Sequence, residues 1–132
     1  MSSSPTVHNI QLTANRMGNR VTISGNGGAS LPKASGAHRF NFDLSDNTGL
    51  SVEFSSLDAE DNSSTCPPAP GENSQQIVGV TMGPQPRTAS FTDNNNNSGP
   101  MDVSYQWNFT CNDPGVRVDP FDPIIRNGGG GP

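Results

Sequence analysis

The sequence predicts an all-β protein, and more narrowly an immunoglobulin-like antiparallel β-sandwich of seven to nine strands. Apolar residues recur at every second position in short runs, and turn-forming residues separate these runs. Residues that populate exposed helix faces are scarce, since the 132 residues include one Lys and three Glu. The length fits one domain. We assign residues 1–127 to a single β-sandwich and residues 128–132 to a flexible glycine-rich end.

The predicted strands each have one apolar face. The longest extends from Met101 to Cys111, where Tyr105, Trp107 and Phe109 alternate with polar residues, and it is expected to be the central strand of the core. The other alternating sets are Ile10 and Leu12; Val21 and Ile23; Phe40, Phe42 and Leu44; Leu50, Val52 and Phe54; Val78, Val80 and Met82; and Ala89 and Phe91. Residues 55–76 and 83–100 are predicted to be long polar loops.

Charge and hydropathy exclude two classes of partner. The formal net charge is -5, and no cluster of Lys and Arg is present that could neutralise phosphates, so we predict no nucleic-acid partner. No apolar run approaches the roughly 18 residues of a membrane-spanning helix, so we predict no membrane partner. The amino-terminal residues lack the pattern of a signal peptide, which favours a cytoplasmic location.

The two cysteines leave the compartment open. Cys66 precedes two prolines in a predicted loop, and Cys111 ends the longest predicted strand. A disulfide between them would favour an oxidising, extracytoplasmic compartment. The alternative is a pair of free thiols in a reducing cytoplasm.

The known catalytic and metal-binding motifs are missing. The chain has no G-x-S-x-G elbow, no P-loop, no CxxC and no HExxH spacing, so we predict no catalytic residues, no cofactor and no metal, and a protein that is not an enzyme. The stretch from Asp93 to Gly99 is similar to the start of a calcium loop. That loop requires Gly at its sixth position and an acid at its twelfth, where this chain has Ser98 and Ser104.

The C-terminal segment Asp119-Pro120-Phe121-Asp122-Pro123-Ile124-Ile125-Arg126-Asn127 is unusual because two Asp-Pro steps bracket apolar residues. Prolines extend the backbone and remove hydrogen-bond donors, so the segment suits an edge strand or a clip across the sandwich. The predicted interaction residues are Asp122, Pro123, Ile124, Ile125 and Asn127.

These residues resemble the DP-EP family of small bacterial β-sandwich proteins, in which an aromatic strand leads through a turn into D-P-x-I-x-N. The matching positions lie between Ser104-Tyr105-Gln106-Trp107 and Asp122-Pro123-Ile124-Ile125-Arg126-Asn127. The resemblance implies a cytoplasmic or cell-associated bacterial protein with an immunoglobulin-like fold. It implies little about activity.

Two functional hypotheses follow from the sequence. The first is a non-enzymatic interaction or assembly module that binds a protein partner or self-associates, through an exposed edge strand or through Ile124 and Ile125. The second is a small-ligand or carbohydrate-binding domain that uses Trp107 or Tyr105, together with the long polar loops, as a stacking platform.

Overall fold

The computed structural model describes residues 5–63 and 67–130, and within these ranges the protein is all-β, as predicted. The described residues form eleven strands, more than the seven to nine expected, because three of the strands contain only two or three residues. The strands are β1 (Thr6–Met17), β2 (Arg20–Ser24), β3 (Ala29–Leu31), β4 (His38–Asp46), β5 (Glu53–Asp61), β6 (Glu72–Asn73), β7 (Ile77–Met82), β8 (Thr88–Asp93), β9 (Met101–Thr110), β10 (Arg117–Val118) and β11 (Ile124–Asn127).

The strands form two mixed sheets, which corrects the prediction of a purely antiparallel arrangement. The six-stranded sheet has the order β10-β2-β1-β4-β8-β7, and the five-stranded sheet has the order β3-β11-β9-β5-β6. The pairs β1 with β4, β2 with β10, β3 with β11 and β5 with β6 are parallel. The reason is topological. After the β1–β2 hairpin the chain adds β3 to the other sheet before it returns as β4, which therefore runs in the direction of β1.

Aromatic rings from the two sheets meet in the core. Phe42 and Phe91 of the six-stranded sheet contact Tyr105 and Trp107 of β9, with ring centroids 5.1 to 6.2 Å apart. Edge-to-face contacts dominate this set, as expected for packed aromatic side chains. The prediction that Met101 to Cys111 contains the central core strand is confirmed, because β9 lies in the middle of the five-stranded sheet.

Two β-bulges shift the inward face of a strand by one residue. In β5 the pairing with β9 slips between Phe54 and Ser56, so Leu57 and Ala59 face the core and the strand continues to Asp61. This corrects the prediction of a loop from residue 55 onwards. In β7 the pairing with β8 slips between Val78 and Thr81, at Gly79, whose φ of 63° is left-handed.

The β7 bulge also changes which apolar residues of the strand are buried. Ile77 is buried, whereas Val78 and Met82 are 39% and 48% exposed. The predicted single apolar face containing Val78, Val80 and Met82 is therefore wrong. A strict period of two cannot cross a bulge without changing face.

A close backbone approach fixes the loop before β3. The Tyr105 hydroxyl donates a hydrogen bond to the Gly27 carbonyl oxygen at 2.8 Å. A side chain at Gly27 would lie within 3 Å of the Tyr105 hydroxyl and the Phe121 ring, so only glycine fits.

The residues that the structure describes include no helix long and apolar enough to cross a membrane.

Candidate functional site

The predicted interaction segment is an internal strand. β11 pairs with β9 on one side and with β3 on the other, so it is neither an edge strand nor a clip. Ile125 and Asn127 are fully buried, while Asp122, Pro123 and Ile124 are half-buried. In this structure Ile125 and Asn127 are therefore inaccessible to a second molecule.

Asn127 belongs to a buried polar cluster at the end of β8. Its Nδ2 donates to Asp93 Oδ1 at 2.7 Å and to Asn97 Oδ1 at 3.3 Å, and the backbone N–H of Asn95 donates to the same Asp93 oxygen at 3.0 Å. Asp93 Oδ2 and Asn127 Oδ1 are buried without a hydrogen-bond partner among the described residues. Burial raises the pKa of Asp93 to about 6. The negative charge of Asp61 adds to this rise, whereas the hydrogen bonds from Asn127 and Asn95 oppose it.

The same cluster holds the glycines that follow β11. The N–H of Gly128 donates to Leu31 O, that of Gly129 to Asn95 Oδ1 and that of Gly130 to Asn97 O, at 2.6 to 2.8 Å. Backbone contacts with the domain thus extend past residue 127, where we placed the start of a flexible end. The last two residues, 131 and 132, lie outside the described part of the chain.

The two aromatic residues proposed as a stacking platform are core residues. Tyr105 and Trp107 are both 0% exposed and are covered by rings of the opposite sheet. A ligand could reach them only if the two sheets separated. The hypothesis that a ligand stacks on Trp107 or Tyr105 is therefore wrong for this structure.

Cys111 is a free thiol just after β9. Its Sγ lies 3.3 Å from the carbonyl oxygen of Asp113, within the turn that follows the strand. Cys66, its partner in the predicted disulfide, lies outside the described residues.

One chain of polar residues has the distances of a nucleophile–base–orienter arrangement. Ser35 Oγ lies 2.7 Å from His38 Nε2, and His38 Nδ1 lies 2.9 Å from His8 Nε2. Burial, and to a smaller extent His8, lowers the pKa of His38.

The bonding of Ser35 nevertheless assigns it a structural role. Its hydroxyl is 2.6 Å from Pro32 O, and Asn95 Nδ2 donates to Ser35 Oγ at 3.1 Å. With His38 these contacts use the one donor and the two lone pairs of a serine hydroxyl. The chain Ser35–His38–His8 therefore stabilises the turn before β4. No group of three or more His, Cys, Asp or Glu able to hold a metal ion is found within residues 5–63 and 67–130.

Strand β7 is an accessible sheet edge. Among the four edge strands of the described residues, it is the longest at six residues, whereas β10, β3 and β6 contain two or three. It contains no charged residue and no proline, and it exposes Val78 and Met82. Edges of natural sheets are usually protected by charge, proline or shortness. Apart from its bulge, β7 lacks these protections.

The outer face of the six-stranded sheet carries an open groove of about 520 Å³. Its polar lining includes Asn9 and Gln11 of β1, residues Arg39, Asn41 and Asp43 of β4, and Thr88 and Ser90 of β8. The turn between β7 and β8, with Pro84 and Gln85, forms one wall. Part of the predicted loop from residue 83 onwards therefore does border a cavity, as a short turn before β8.

Sequence reasoning missed both surfaces. The polar partners in the alternation of β1 and β4 were visible, but nothing in the sequence shows that these two strands are parallel neighbours, with Asn9 opposite Asn41 and Gln11 opposite Asp43. The absence of charge in β7 was also visible. Its position at a sheet edge depends on the topology.

A search against models of known protein families found no match, and neither did a search of curated protein sequences. The similarity of the C-terminal segment to the DP-EP family therefore stays a prediction.

Proposed function

We propose that this protein is a non-enzymatic assembly module that self-associates by pairing strand β7 with β7 of a second copy. The observation that supports the proposal is the six-residue, uncharged edge formed by β7. This retains the edge-strand form of the interaction hypothesis. The interaction site moves from Ile124 and Ile125 to residues 77–82.

Symmetry favours a second copy as the partner. Antiparallel pairing of one edge with itself gives a closed two-fold dimer in which each β7 contacts the same residues of the other. Because β7 carries no charge, the two-fold axis brings no like charges of this strand together. The exposed side chains of Val78 and Met82 add apolar surface for burial.

The bulge at Gly79 sets the expected strength of this association. It divides the edge into two short segments and twists the strand, which limits the number of backbone hydrogen bonds that a partner can form. We therefore expect a concentration-dependent dimer rather than an obligate one.

The proposed architecture behind this role is a variant of the immunoglobulin-like sandwich. Two sheets that pack against each other through aromatic side chains support it, and the parallel β1–β4 pair is the main departure from that fold. Immunoglobulin-like domains commonly act in adhesion and assembly, which is an argument by analogy.

The substitution Val78→Lys tests the proposal, because lysine on an edge strand opposes pairing and would face a second lysine near the dimer axis. We expect sedimentation equilibrium to show a reversible dimer for the wild type and a monomer for Val78→Lys. Val7→Lys is the matched control, because Val7 is 50% exposed but belongs to β1, an internal strand.

Both substitutions change exposed side chains, so we expect each to alter the unfolding free energy by about 0.5 kcal/mol or less. A wild-type protein that stays monomeric up to its solubility limit would contradict the proposal. Equal dimerisation of the wild type and Val78→Lys would also contradict it.

A further inference from the structure

The groove on the outer face of the six-stranded sheet is independent of the β7 edge. Its side chains project from β1, β4, β8 and the turn after β7, whereas pairing at β7 would use the backbone edge of residues 77–82. Its volume of about 520 Å³ lies within the range of small-molecule sites. What it can bind depends on the hydrogen-bonding groups that line it.

The groove presents both donors and acceptors. Arg39 uses Nε on Asn41 Oδ1 at 3.0 Å and Nη2 on Ser90 Oγ at 3.3 Å, which leaves other guanidinium N–H groups without a partner among the described residues. The Asp43 carboxylate has no hydrogen-bond or ion-pair partner within the same residues. Arg39 and Asp43 each lie two residues from Asn41 in β4, so the three side chains project from the same face of the strand.

Part of the lining is already held in place. Asn41 Nδ2 donates to Asn9 Oδ1 at 3.2 Å, and Gln11 Nε2 donates to Ser45 Oγ at 2.8 Å. These bonds orient the amides and leave Asn9 Nδ2 and Gln11 Oε1 available. A lining oriented in advance reduces the entropy that a ligand must overcome.

The net charge and the exposed surface of the groove disfavour several ligand classes. One Arg and one Asp cancel in charge, which disfavours a polyanion or a cation. Ile10, Phe42 and Ala89 beneath the groove are at most 9% exposed, whereas Pro84 on its wall is exposed, so the groove combines polar side chains with accessible apolar surface. An uncharged ligand rich in groups that both donate and accept hydrogen bonds fits best.

We propose that this groove binds a neutral oligosaccharide along β4. Adjacent hydroxyl groups of a sugar can donate to the Asp43 carboxylate while other hydroxyl oxygens accept from Arg39 and Asn9. The site lacks an exposed aromatic ring among the described lining residues, so selectivity rests on hydrogen bonds and affinity is modest.

The test is a titration of ¹⁵N-labelled protein with maltohexaose, cellohexaose and chitohexaose, followed by NMR. Because Asn9, Gln11 and Asn41 carry side-chain NH₂ groups in the groove, their signals report binding directly. We expect at least one oligosaccharide to shift them in a saturable manner. We expect Asp43→Asn to weaken that binding by about tenfold through the loss of a charged acceptor.

Glu53→Gln is the matched control, since it makes the same change at an exposed carboxylate on the five-stranded sheet and should leave the affinity unchanged. The proposal is overturned if none of the three oligosaccharides shifts the groove signals, or if Asp43→Asn binds like the wild type. Binding of a Ser- and Asn-rich peptide or of a sulfated oligosaccharide, but of no neutral one, would also overturn it.

Discussion

At the scale of single residues, Asp93 is the most unusual group in the molecule. Its fully buried carboxylate accepts a hydrogen bond from Asn127 Nδ2 through one oxygen, while its second oxygen and the side-chain oxygen Oδ1 of Asn127 are unpaired among the described residues. Protonation of Asp93 would turn its unpaired oxygen into a donor within a cluster that still holds an unpaired acceptor. The charge of Asp61 adds to the rise in the Asp93 pKa, and His38 lies opposite Asp93 in the β4–β8 register.

Relative to the wild type, the unfolding free energy of Asp93→Asn should increase as the pH rises. The pKa of Asp93 is raised from 3.8 to about 6, so the protonated form stabilises the fold below 3.8 and this contribution is lost as the pH rises through about 6. Above that pH the buried charge costs about 3 kcal/mol. An asparagine avoids that cost and keeps the shape.

Urea unfolding of both proteins at about pH 4 and about pH 8 checks this. The difference in unfolding free energy, Asp93→Asn minus wild type, should increase by about 2 kcal/mol between them, because at about pH 4 part of the unfolded-state carboxylate is already ionised. The lowered pKa of His38 makes the fold more stable as pH rises, but both proteins share this effect and it cancels in the difference. A difference that stays constant between about pH 4 and about pH 8 would contradict a pKa of about 6 for Asp93.

At the scale of elements, bulges explain where prediction from the sequence failed. The alternation in β1, β4 and β9 was regular, and strands were predicted at these positions. For β8 the predictions conflicted, because Ala89 and Phe91 alternate but lie within residues 83–100, which were predicted to be a loop; the structure has a strand at Thr88–Asp93. β5 and β7 each contain an extra residue, at Phe54–Ser56 and at Gly79, which moves the next apolar residue to the other face. Leu57 and Ala59 also alternate in the sequence, but they are out of phase with Leu50, Val52 and Phe54. A strict period of two therefore does not extend the strand through them.

The C-terminal strand gives the clearest element-scale prediction. Ile125 is 0% exposed between β9 and β3, so Ile125→Ala should lower the unfolding free energy by about 2–5 kcal/mol. Ile124→Ala, its half-buried neighbour, is the control and should cost about 1 kcal/mol. Chemical denaturation measures both. Equal small effects, combined with a change in oligomeric state, would instead support the tail as an interaction segment.

At the scale of the whole molecule, composition and periodicity sufficed to predict an all-β chain with a core on β9. They could not predict which strands are neighbours, because parallel pairing of β1 with β4 depends on β3 joining the other sheet. Both candidate surfaces depend on which strands are neighbours in the six-stranded sheet. The edge exists because β7 comes last in its sheet, and the groove exists because the polar faces of β1 and β4 lie side by side.

Backbone hydrogen exchange at low and high protein concentration tests the central claim, pairing at β7, most directly. In the monomer, the β7 amides that point away from β8 have no strand partner and should exchange quickly. We predict that exchange in residues 77–82 slows as concentration rises, while β1 and β9 are unaffected. The same exchange rates in β7 at both concentrations, or slowing confined to β11, would contradict the account.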